Sequence, residues 1–511
     1  MLFVTAETAA GLVRGLTVGG IRQFRGIPYG APTGGRNRFR APQDPQAWSG
    51  VRDAFGYGDI CPQGFTDPAH PFGLLIDWDL QPGGMSEDCL NLNIWTPGLR
   101  DGGDRPILLY LHGGGFNTGS ANHYCFIGDR LARYGDAVVI TVNHRLSAFG
   151  YLDLADLGAP EEFAEAGVAG MLDLVRALEW VRAHAWEFGG DAARVMIFGQ
   201  SGGGRKVNFV QAMPAAKGLF HAAATQSGGT VRASGRDLAA DYASRLLGVL
   251  GVDRDFSQLE KLTFSELLEA QIELGVYAQV MQPGAPVADA PNFSPVVDGV
   301  AIPQHPFDPG APGCSADVPM LIGHCAHDAG WPYANFDLDE AGLRTVAADL
   351  AGDRAEEAMT LYGKAYPNDP PFLRQAAMLT DQRLGQDLTL QAERKSAQNG
   401  ADVWRYRFDW RSPWAGGRFG AVHGMDMALV FHNTHQPTVC NSAEAQALAD
   451  AMANIWLNFA RTGNPNGSAL PDWPAYDATG RATMLIDHPS PMCVSDPDRE
   501  LRQFWAPGAR S

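Results

Sequence analysis

The first third of the chain consists of short, largely apolar runs joined by glycine and proline turns. Runs of this length that are bounded by turn residues are typical of β-strands. The pattern therefore predicts strands in the segments GLVRGLTV, IRQFRGIPYG, NLNIWTP, PILLYLHGGG and AVVITVNHR.

The hydrophobic spacing then changes to that of helices. In MLDLVRALEWVRAHAWEFGGD, Leu174, Leu178 and Val181 recur at helical intervals, and the segment ends at glycines before a short apolar run at 195–198. Alternation of strand, helix and strand is typical of a parallel sheet that is covered by helices on both faces. Two later strands and a long terminal helix are expected in VPMLIGHC, ADVWRYRFDW and EAQALADAMANIWLNFARTG.

One helical segment interrupts this alternation. Residues 234–291, which include FSQLEKLTFSELLEAQIEL, predict a cap that is inserted over the sheet. No Ser/Gly linker or run of like charges divides the chain, which favours one domain over 1–511.

A serine among glycines, in RVMIFGQSGGGRKV, is compatible with two kinds of site. Such a turn can bind a phosphate, but the phosphate-loop pattern fails because Arg205 precedes Lys206, and the dinucleotide pattern fails because Val207 stands where a glycine is required. The pattern G-x-S-x-G fits 199–203 and predicts that Ser201 is a nucleophile on a sharp strand-to-helix turn. A flexible turn is the alternative until the serine has partners.

A serine nucleophile needs a base and a group that orients the base. After Ser201 in chain order, Asp328 follows the strand VPMLIGHC, and His423 lies between two glycines after VWRYRFDW. These residues are the predicted acid and base. Asp426 is a second acid near His423, which we interpret as a solvated loop carboxylate.

The segment LYLHGGGF offers backbone donors for a developing oxyanion. Its glycines follow a predicted buried strand and allow close approach of the backbone to a ligand. The N–H groups of Gly114 and Gly115, with that of Gly202 directly after the nucleophile, are the predicted oxyanion hole. We interpret His112 as a residue that organises the backbone rather than as a catalytic one.

Composition disfavours several other classes of function. The chain has 39 Lys and Arg against 57 Asp and Glu, and its formal charge of -18 argues against nucleic acid and anionic membranes as partners. The sequence begins without a basic and apolar leader, and no segment approaches the ~20 apolar residues of a membrane span, so a cytoplasmic protein is expected. Seven cysteines form no C-x-x-C pair, and HCAHD with His432 and His435 matches no zinc spacing, so no metal is expected.

Longer motifs link the chain to a known family. FGGDAARVMIFGQSGG and EDCLNLNIWTP match the two signatures of the type-B carboxylesterases, which the sequence resembles over nearly its whole length. Further similar segments are FRGIPYGAP, RFRAP, VNHRLSAFGYL, FSPVVDG, WLNFARTGNPN and WPAYD. The resemblance implies an α/β-hydrolase fold and hydrolysis of a small-molecule carboxylic ester through an acyl-enzyme on Ser201, with no cofactor.

Three site residues depart from the pattern of that family. Gln200 stands where the family usually has glutamate, which removes a negative charge beside the triad and should weaken any preference for cationic esters. Gly202 replaces the common alanine but keeps the backbone donor. Asp328 replaces the usual glutamate, and its shorter side chain needs a closer loop.

The resemblance also implies features around the pocket. Relatives with a disulfide suggest a pairing of Cys61 with Cys89, although that bond need not form in a reducing cytoplasm. Relatives use the loop that contains Trp78 to wall the gorge, for which core packing is an equally good account. The candidate substrate-binding residues are Phe116, Gln200, Trp78 and Arg205.

Arg205 and Lys206 begin the helix behind the nucleophile, where relatives commonly have small residues. A cation at a helix N-terminus opposes the helix dipole, so both are expected to be paired or exposed. One hypothesis is that Arg205 reaches the pocket and favours substrates with a carboxylate or a polar aromatic group, and a structural ion pair is the alternative.

Two other functions are compatible with the same fold. A non-catalytic adhesion module would keep the fold and lose the chemistry, but Ser201, His423 and the glycine loop are intact. A lipase would act on long-chain esters at an interface. The sequence leaves the ester and the oligomeric state, monomer or homodimer, open.

Overall fold

The computed structural model describes residues 2–65, 82–252, 255–278, 290–333, 335–468 and 470–506 of the 511-residue chain. One of the predicted substrate-binding residues, Trp78, lies outside the described residues.

In these ranges thirteen strands form one sheet, whose centre is parallel and whose edges are antiparallel. In chain order they are β1 Phe3–Thr8, β2 Gly11–Val18, β3 Ile21–Pro28, β4 Val51–Asp53, β5 Asn91–Thr96, β6 Arg105–Leu111, β7 Val138–Val142, β8 Gly190–Gln200, β9 Ala222–Gln226, β10 Met320–Cys325, β11 Val403–Phe408, β12 Ala482–Ile486 and β13 Met492–Ser495. The spatial order is β1-β2-β3-β5-β7-β6-β8-β9-β10-β11-β12-β13, with β4 paired to β2. The strands from β7 to β12 in this order run parallel.

The helices lie between the strands and at the end of the chain. They are α1 Asp129–Gly135, α2 Ser147–Tyr151, α3 Ala169–His184, α4 Gly202–Ala212, α5 Arg236–Val249, α6 Phe264–Glu273, α7 Glu340–Ala351, α8 Ala355–Ala365, α9 Pro371–Thr380, α10 Gln386–Ser396, α11 Met427–Val430, α12 Ala443–Thr462 and α13 Arg499–Trp505. None of the helices in the described ranges combines the length and the apolar character that crossing a bilayer would require.

The central strands are apolar throughout because helices cover both faces of the sheet. In β6, Ile107 and Leu109 pack into a cluster that includes the predicted apolar face of α3, while Leu108 and Tyr110 pack into a second cluster with α12. Side chains alternate between the two faces of a strand, so both sets are buried.

The strands and helices named in the sequence analysis are found at the predicted places, with one change in length. β8 begins at Gly190 rather than at 195. The helical stretch before it ends at Gly189 in the left-handed region, with φ 69°, and the chain then pairs at once with β6 through Gly190 and Arg105. The strands β1, β4, β9, β12 and β13 were not predicted.

Helical insertions interrupt the sheet in two places. The segment 234–291 contains α5 and α6, and its action as a cap stays a prediction. The helices α7 to α10, between β10 and β11, were not predicted. α7, α8 and α9 share a separate small core with α13, through Leu343, Tyr362, Met378 and Phe504, so their apolar residues face one another rather than the sheet. α10 packs on the sheet instead, because its Leu388 and Ala392 share a cluster with residues of β10 and β11.

Candidate active site

Four separate segments of the chain meet at one edge of the sheet. His112, Ser201, Ser227 and Asp328 follow the carboxyl ends of β6, β8, β9 and β10. These four strands are neighbours and run parallel, so their carboxyl ends lie side by side. Ligands of open α/β sheets bind at this edge.

Ser201 lies on a strained turn between β8 and α4. Its backbone has φ 57° and ψ -124°, a region that costs a non-glycine residue on the order of 1–3 kcal/mol. The Ser201 N–H donates to Gln226 O at 2.7 Å, which fixes the turn against the end of β9. The geometry is that of the predicted sharp strand-to-helix turn.

Glycines at this turn allow the loop after β6 to lie directly against it. A Cβ atom on Gly203 would be 1.9 Å from Leu111 O, and one on Gly202 would be 2.1 Å from Gly115 O. An alanine at 202, as the family commonly has, therefore requires this loop to move.

The same loop presents backbone donors beside Ser201. Gly114 and Gly115 have φ 88° and 63°, and the turn is closed by the Thr118 N–H, which donates to Gly114 O at 3.0 Å. Within the described ranges, the N–H groups of both glycines donate to no other group. Gly202 occupies the first position of α4, where an N–H has no acceptor inside the helix. That these three donors bind one oxygen stays a prediction.

The predicted acid and base are in direct contact. Asp328 begins a short turn after β10, and His423 lies in the loop after β11. His423 Nδ1 is hydrogen-bonded to Asp328 Oδ1, and both side chains are buried. The shorter aspartate therefore reaches the imidazole without a glutamate's extra carbon.

Two further donors bind the Asp328 carboxylate. Ser227 Oγ and the Cys325 N–H donate to Oδ2 at 2.5 and 2.9 Å. Burial raises the pKa of Asp328, but the charge of His423 and these hydrogen bonds outweigh it and hold the pKa below 3.8. Asp328 is therefore charged at neutral pH. Ser227 was missed by the sequence analysis because the strand that it follows, β9, was not predicted.

His327 holds the two loops together. Its backbone N–H donates to Ala421 O at 2.9 Å, and the Ala421 N–H donates to its ring Nδ1 at 3.1 Å. The other ring nitrogen is 3.0 Å from Asp369 Oδ2. The residue before Asp328 is thus bound to a residue two places before His423, a pairing of distant loops that local sequence does not reveal.

The second nitrogen of the imidazole faces the nucleophile turn. Gln200 is buried, and its Nε2 lies 3.1 Å from His423 Nε2. Trp331 packs over the His423 ring, with centroids 6.1 Å apart and planes inclined by 26°. The residue that directly precedes Ser201 therefore contacts the nitrogen that a serine base uses.

Asp426 is not a solvated loop carboxylate, and that interpretation is wrong. Its side chain is fully buried, and Oδ2 accepts from Gln226 Nε2 at 2.8 Å and from the Tyr406 hydroxyl at 2.9 Å. Burial raises its pKa, and these two bonds only partly offset that effect. The carboxylate was expected in water because its local sequence lies in a loop, but side chains from β9 and β11 cover it.

The expectation for the two cations is wrong for Lys206. Arg205 is exposed, whereas Lys206 is fully buried and forms no ion pair with a carboxylate of the described residues. Lys206 Nζ instead donates to His112 O at 3.0 Å. Because α4 is buried on all sides except at Arg205, adjacent residues of one helix have opposite surroundings.

A cleft of about 430 Å³ lies beside α4. Phe116 and Arg205, two of the predicted substrate-binding residues, line it together with Phe209, Thr230 and Arg232. Its walls combine aromatic rings with guanidinium groups and the carboxylate of Asp387, which suits a polar aromatic ligand.

The remaining histidines and cysteines have structural contacts. No set of three His, Cys, Asp or Glu side chains in the part of the chain that the structure describes is arranged to hold a metal ion. Cys61 and Cys89 are buried neighbours, as the resemblance implies, but both thiols are free. The Leu146 N–H donates to Cys61 Sγ at 3.2 Å.

With this geometry established, comparisons with known proteins identify the family. The family model described as "Carboxylesterase family" matches residues 3–505. The chain belongs to the carboxylesterase family. The para-nitrobenzyl esterase of Bacillus subtilis (strain 168) is 33% identical over 517 residues, which cover 98% of each chain. The phenmedipham hydrolase of Pseudarthrobacter oxydans is 33% identical over 495 residues, which cover 94% of each.

A solved carboxylesterase confirms the architecture. The structure from Geobacillus stearothermophilus superposes with a TM-score of 0.82 at 34% identity, over 98% of this chain and 100% of that one. The predicted α/β-hydrolase fold is therefore confirmed, and this carboxylesterase is a carboxylic ester hydrolase, as predicted.

Proposed function

We propose that this carboxylesterase hydrolyses its substrate through an acyl-enzyme on Ser201, with His423 as the base and Asp328 as the group that orients it. One observation carries the proposal. His423 is bound at Nδ1 by Asp328, while its Nε2 lies 3.1 Å from the side chain of Gln200, the neighbour of Ser201. The ring is thus oriented by a charged acid and faces the nucleophile turn with its second nitrogen.

The proposed reaction has two halves. Ser201 Oγ attacks the ester carbonyl while His423 Nε2 takes the hydroxyl proton, and the N–H groups of Gly114, Gly115 and Gly202 bind the oxyanion. The imidazolium gives its proton to the departing alcohol, which leaves an acyl group on Ser201. Water then attacks the acyl carbonyl with His423 again as base. No cofactor takes part in these steps.

The proposed substrates are small to medium aryl and alkyl esters. Phe116 and Arg205 face the cleft beside α4, and relatives named para-nitrobenzyl esterase and phenmedipham hydrolase indicate aryl esters and phenmedipham as first compounds to test. Gln200 removes a negative charge from the site, so no preference for cationic esters is expected. A cytoplasmic location, with neither nucleic acid nor membrane as partner, remains part of the proposal.

The nucleophile is tested with Ser201→Ala and an activated aryl ester. We expect the wild-type burst of acylation to disappear, and labelling by a fluorophosphonate probe to disappear with it. Turnover retained by the variant would overturn the assignment. A wild-type protein that neither labels nor turns over would instead support an adhesion module, and activity confined to long-chain esters in micelles would support a lipase.

Arg205 is tested by selectivity rather than by rate alone. The ratio of kcat/KM for a carboxylate-bearing ester to that for its neutral counterpart should fall about three- to tenfold in Arg205→Ala. Arg232→Ala is the matched control, because Arg232 lines the same cleft but is paired with Asp308. An unchanged ratio in Arg205→Ala contradicts the hypothesis.

A further inference from the structure

A lysine without an acidic partner in the described residues lies behind the loop that we propose to bind the oxyanion. Lys206 is fully buried, and the hydrogen bond from Nζ to His112 O is its contact with that loop. Buried lysines usually have a charged partner, because removing an ammonium group from water is costly. Because no acidic partner in the described residues offsets this cost, we expect a function that uses the charge of Lys206.

Among the titratable groups described around Lys206, the lysine itself is the one that carries a positive charge. Nζ lies 5.9 Å from the centroid of the Phe116 ring, and the Cys61 thiol is the titratable group whose charge would favour the ammonium. The rings of His112 and His144 are stacked, with centroids 4.6 Å apart. Burial, together with the charge of Lys206, holds the pKa of both imidazoles well below 6.5, so both are neutral.

Lys206 connects the nucleophile helix to the oxyanion loop. The carbonyl that accepts from Lys206 belongs to the peptide between His112 and Gly113. The next peptide along the chain carries the N–H of Gly114. The His112 ring contacts the next carbonyl, Gly113 O, at 2.9 Å. Ser201 precedes α4 and Lys206 is part of it, so one helix sets the position of both the nucleophile and the loop.

We propose that Lys206 is a positioning residue of the oxyanion hole: its ammonium group holds the His112 carbonyl and places a positive charge beside the loop. The inference rests on the proposed function, in which Gly114 and Gly115 bind a developing negative charge. A fixed cation in a site with little water stabilises such a charge far more than it would in bulk water.

The two contributions of Lys206 differ in their dependence on pH. Burial lowers the pKa of Lys206 to about 7, so the ammonium prevails below that pH and the amine above it. The amine can still donate to His112 O but carries no charge. The contribution of the charge therefore fades as pH rises through neutrality, while that of the hydrogen bond persists.

The experiment compares Lys206→Met and Lys206→Gln with the wild type on an uncharged activated aryl ester. At about pH 6, kcat of the Met variant should fall roughly 10- to 100-fold with little change in KM. The ratio of wild-type to Met-variant kcat should shrink severalfold towards about pH 9, and this ratio cancels any pH dependence that both proteins share. Lys206→Gln can donate a hydrogen bond but carries no charge. It should therefore recover part of the loss that does not depend on pH and none of the loss that does.

Lys395 provides a matched control. It is also buried, its Nζ donates to Ser315 O and Ala316 O at 2.9 and 3.2 Å, and burial lowers its pKa to about 8. These two carbonyls precede the amino end of β10, at the edge of the sheet opposite Asp328. Lys395→Met should leave kcat on the same ester nearly unchanged at every pH.

Counting active sites with a fluorophosphonate probe separates misfolding from lost catalysis, because kcat is then expressed per labelled site. If Lys206→Met does not fold, Lys206→Gln, which lacks the charge, carries the test. Wild-type kcat in a folded variant overturns the proposal, and so does a loss that is equal at every pH. Turnover by Ser201→Ala would overturn the proposed function itself, whereas an inactive Ser201→Ala beside unaffected Lys206 variants would overturn this inference alone.

Discussion

Asp328 and Asp426 are both buried close to His423, but their surroundings shift the pKa values of the two carboxyl groups in opposite directions. Asp328 accepts hydrogen bonds from His423, Ser227 and the Cys325 N–H, and its pKa is lowered. Asp426 accepts from two neutral groups at Oδ2, its Oδ1 has no partner in the described part of the chain, and its pKa is raised.

The difference shows that partners, rather than burial alone, decide whether the pKa of a buried carboxyl group is lowered or raised. Both side chains lose their water, so the desolvation cost acts on each in the same direction. Asp328 is in direct contact with His423, whose imidazole becomes an imidazolium in the proposed mechanism, whereas the side-chain bonds of Asp426 in the described residues come from neutral groups. Asp328 is thus suited to stabilising a positive charge on the imidazole, and Asp426 is suited to holding loops in place.

Among the substitutions that test this comparison, removing the charge of Asp328 should lower kcat the most. Asp328→Asn keeps the shape but cannot orient the Nδ1–H tautomer, so kcat should fall about 10⁴-fold. Steady-state kinetics on an activated aryl ester, with Ser201→Ala as the floor, measures this. A loss below about tenfold would mean that another group, Asp426 first of all, orients the base.

Adding a carboxylate on the other side of the ring should have the next largest effect. Gln200→Glu would place a negative charge about 3 Å from Nε2 and stabilise the imidazolium, so the acidic limb of kcat/KM should move about one pH unit towards neutral. A pH profile between about 5 and 9 records the shift. Lys395→Met, whose change lies at the opposite edge, should show none, and an unmoved limb in Gln200→Glu would mean that residue 200 does not face the ring in solution.

Removing one neutral donor from Asp328 should have a smaller effect. Ser227→Ala deletes the bond to Oδ2 but leaves the bonds from His423 and the Cys325 N–H, so it should lower the unfolding free energy by about 1–3 kcal/mol and kcat by no more than about tenfold. Denaturant unfolding and kinetics on the same preparation test both. A loss as large as that of Asp328→Asn would show that Ser227 itself takes part in the reaction.

The smallest effect on rate is expected at Asp426. Asp426→Asn should keep kcat within about threefold, since the amide still accepts at the oxygen that Gln226 and Tyr406 bind. At about pH 8 the variant should be at least as stable as the wild type, because a raised pKa means that the folded state bears the cost of the charge.

The two aspartates should also differ in the sign of their pH dependence. The stability that the charged Asp328 contributes is present above 3.8 and is lost as pH falls through its lowered pKa. The cost of the Asp426 charge disappears as pH falls through its raised pKa. Thermal unfolding between about pH 2 and 8 should therefore show a deficit for Asp328→Asn that is constant down to about pH 4 and shrinks only below it. The advantage of Asp426→Asn should shrink as pH falls through the raised pKa of Asp426.

Much of the fold and the outline of the site could be predicted because both depend on local pattern. Most of the central strands are continuous apolar runs, and the residues just after them, His112, Ser201 and Asp328, come together because the strands are parallel. The helices α7 to α9 could not be placed in this way, since they pack on one another and on the distant α13.

The sequence by itself determined the positions of most of the central strands, the sharp turn at Ser201 and the glycines at 202 and 203 that permit it. These features follow from side-chain size and from the spacing of apolar residues, which neighbouring positions express. Only the tertiary structure decided how far each charged side chain is covered: Lys206 and Asp426 are fully enclosed by segments far away in the chain, while Arg205 keeps an exposed side chain although partial burial lowers its pKa. Desolvation depends on everything that surrounds a charge, so no local pattern could have distinguished Arg205 from its neighbour.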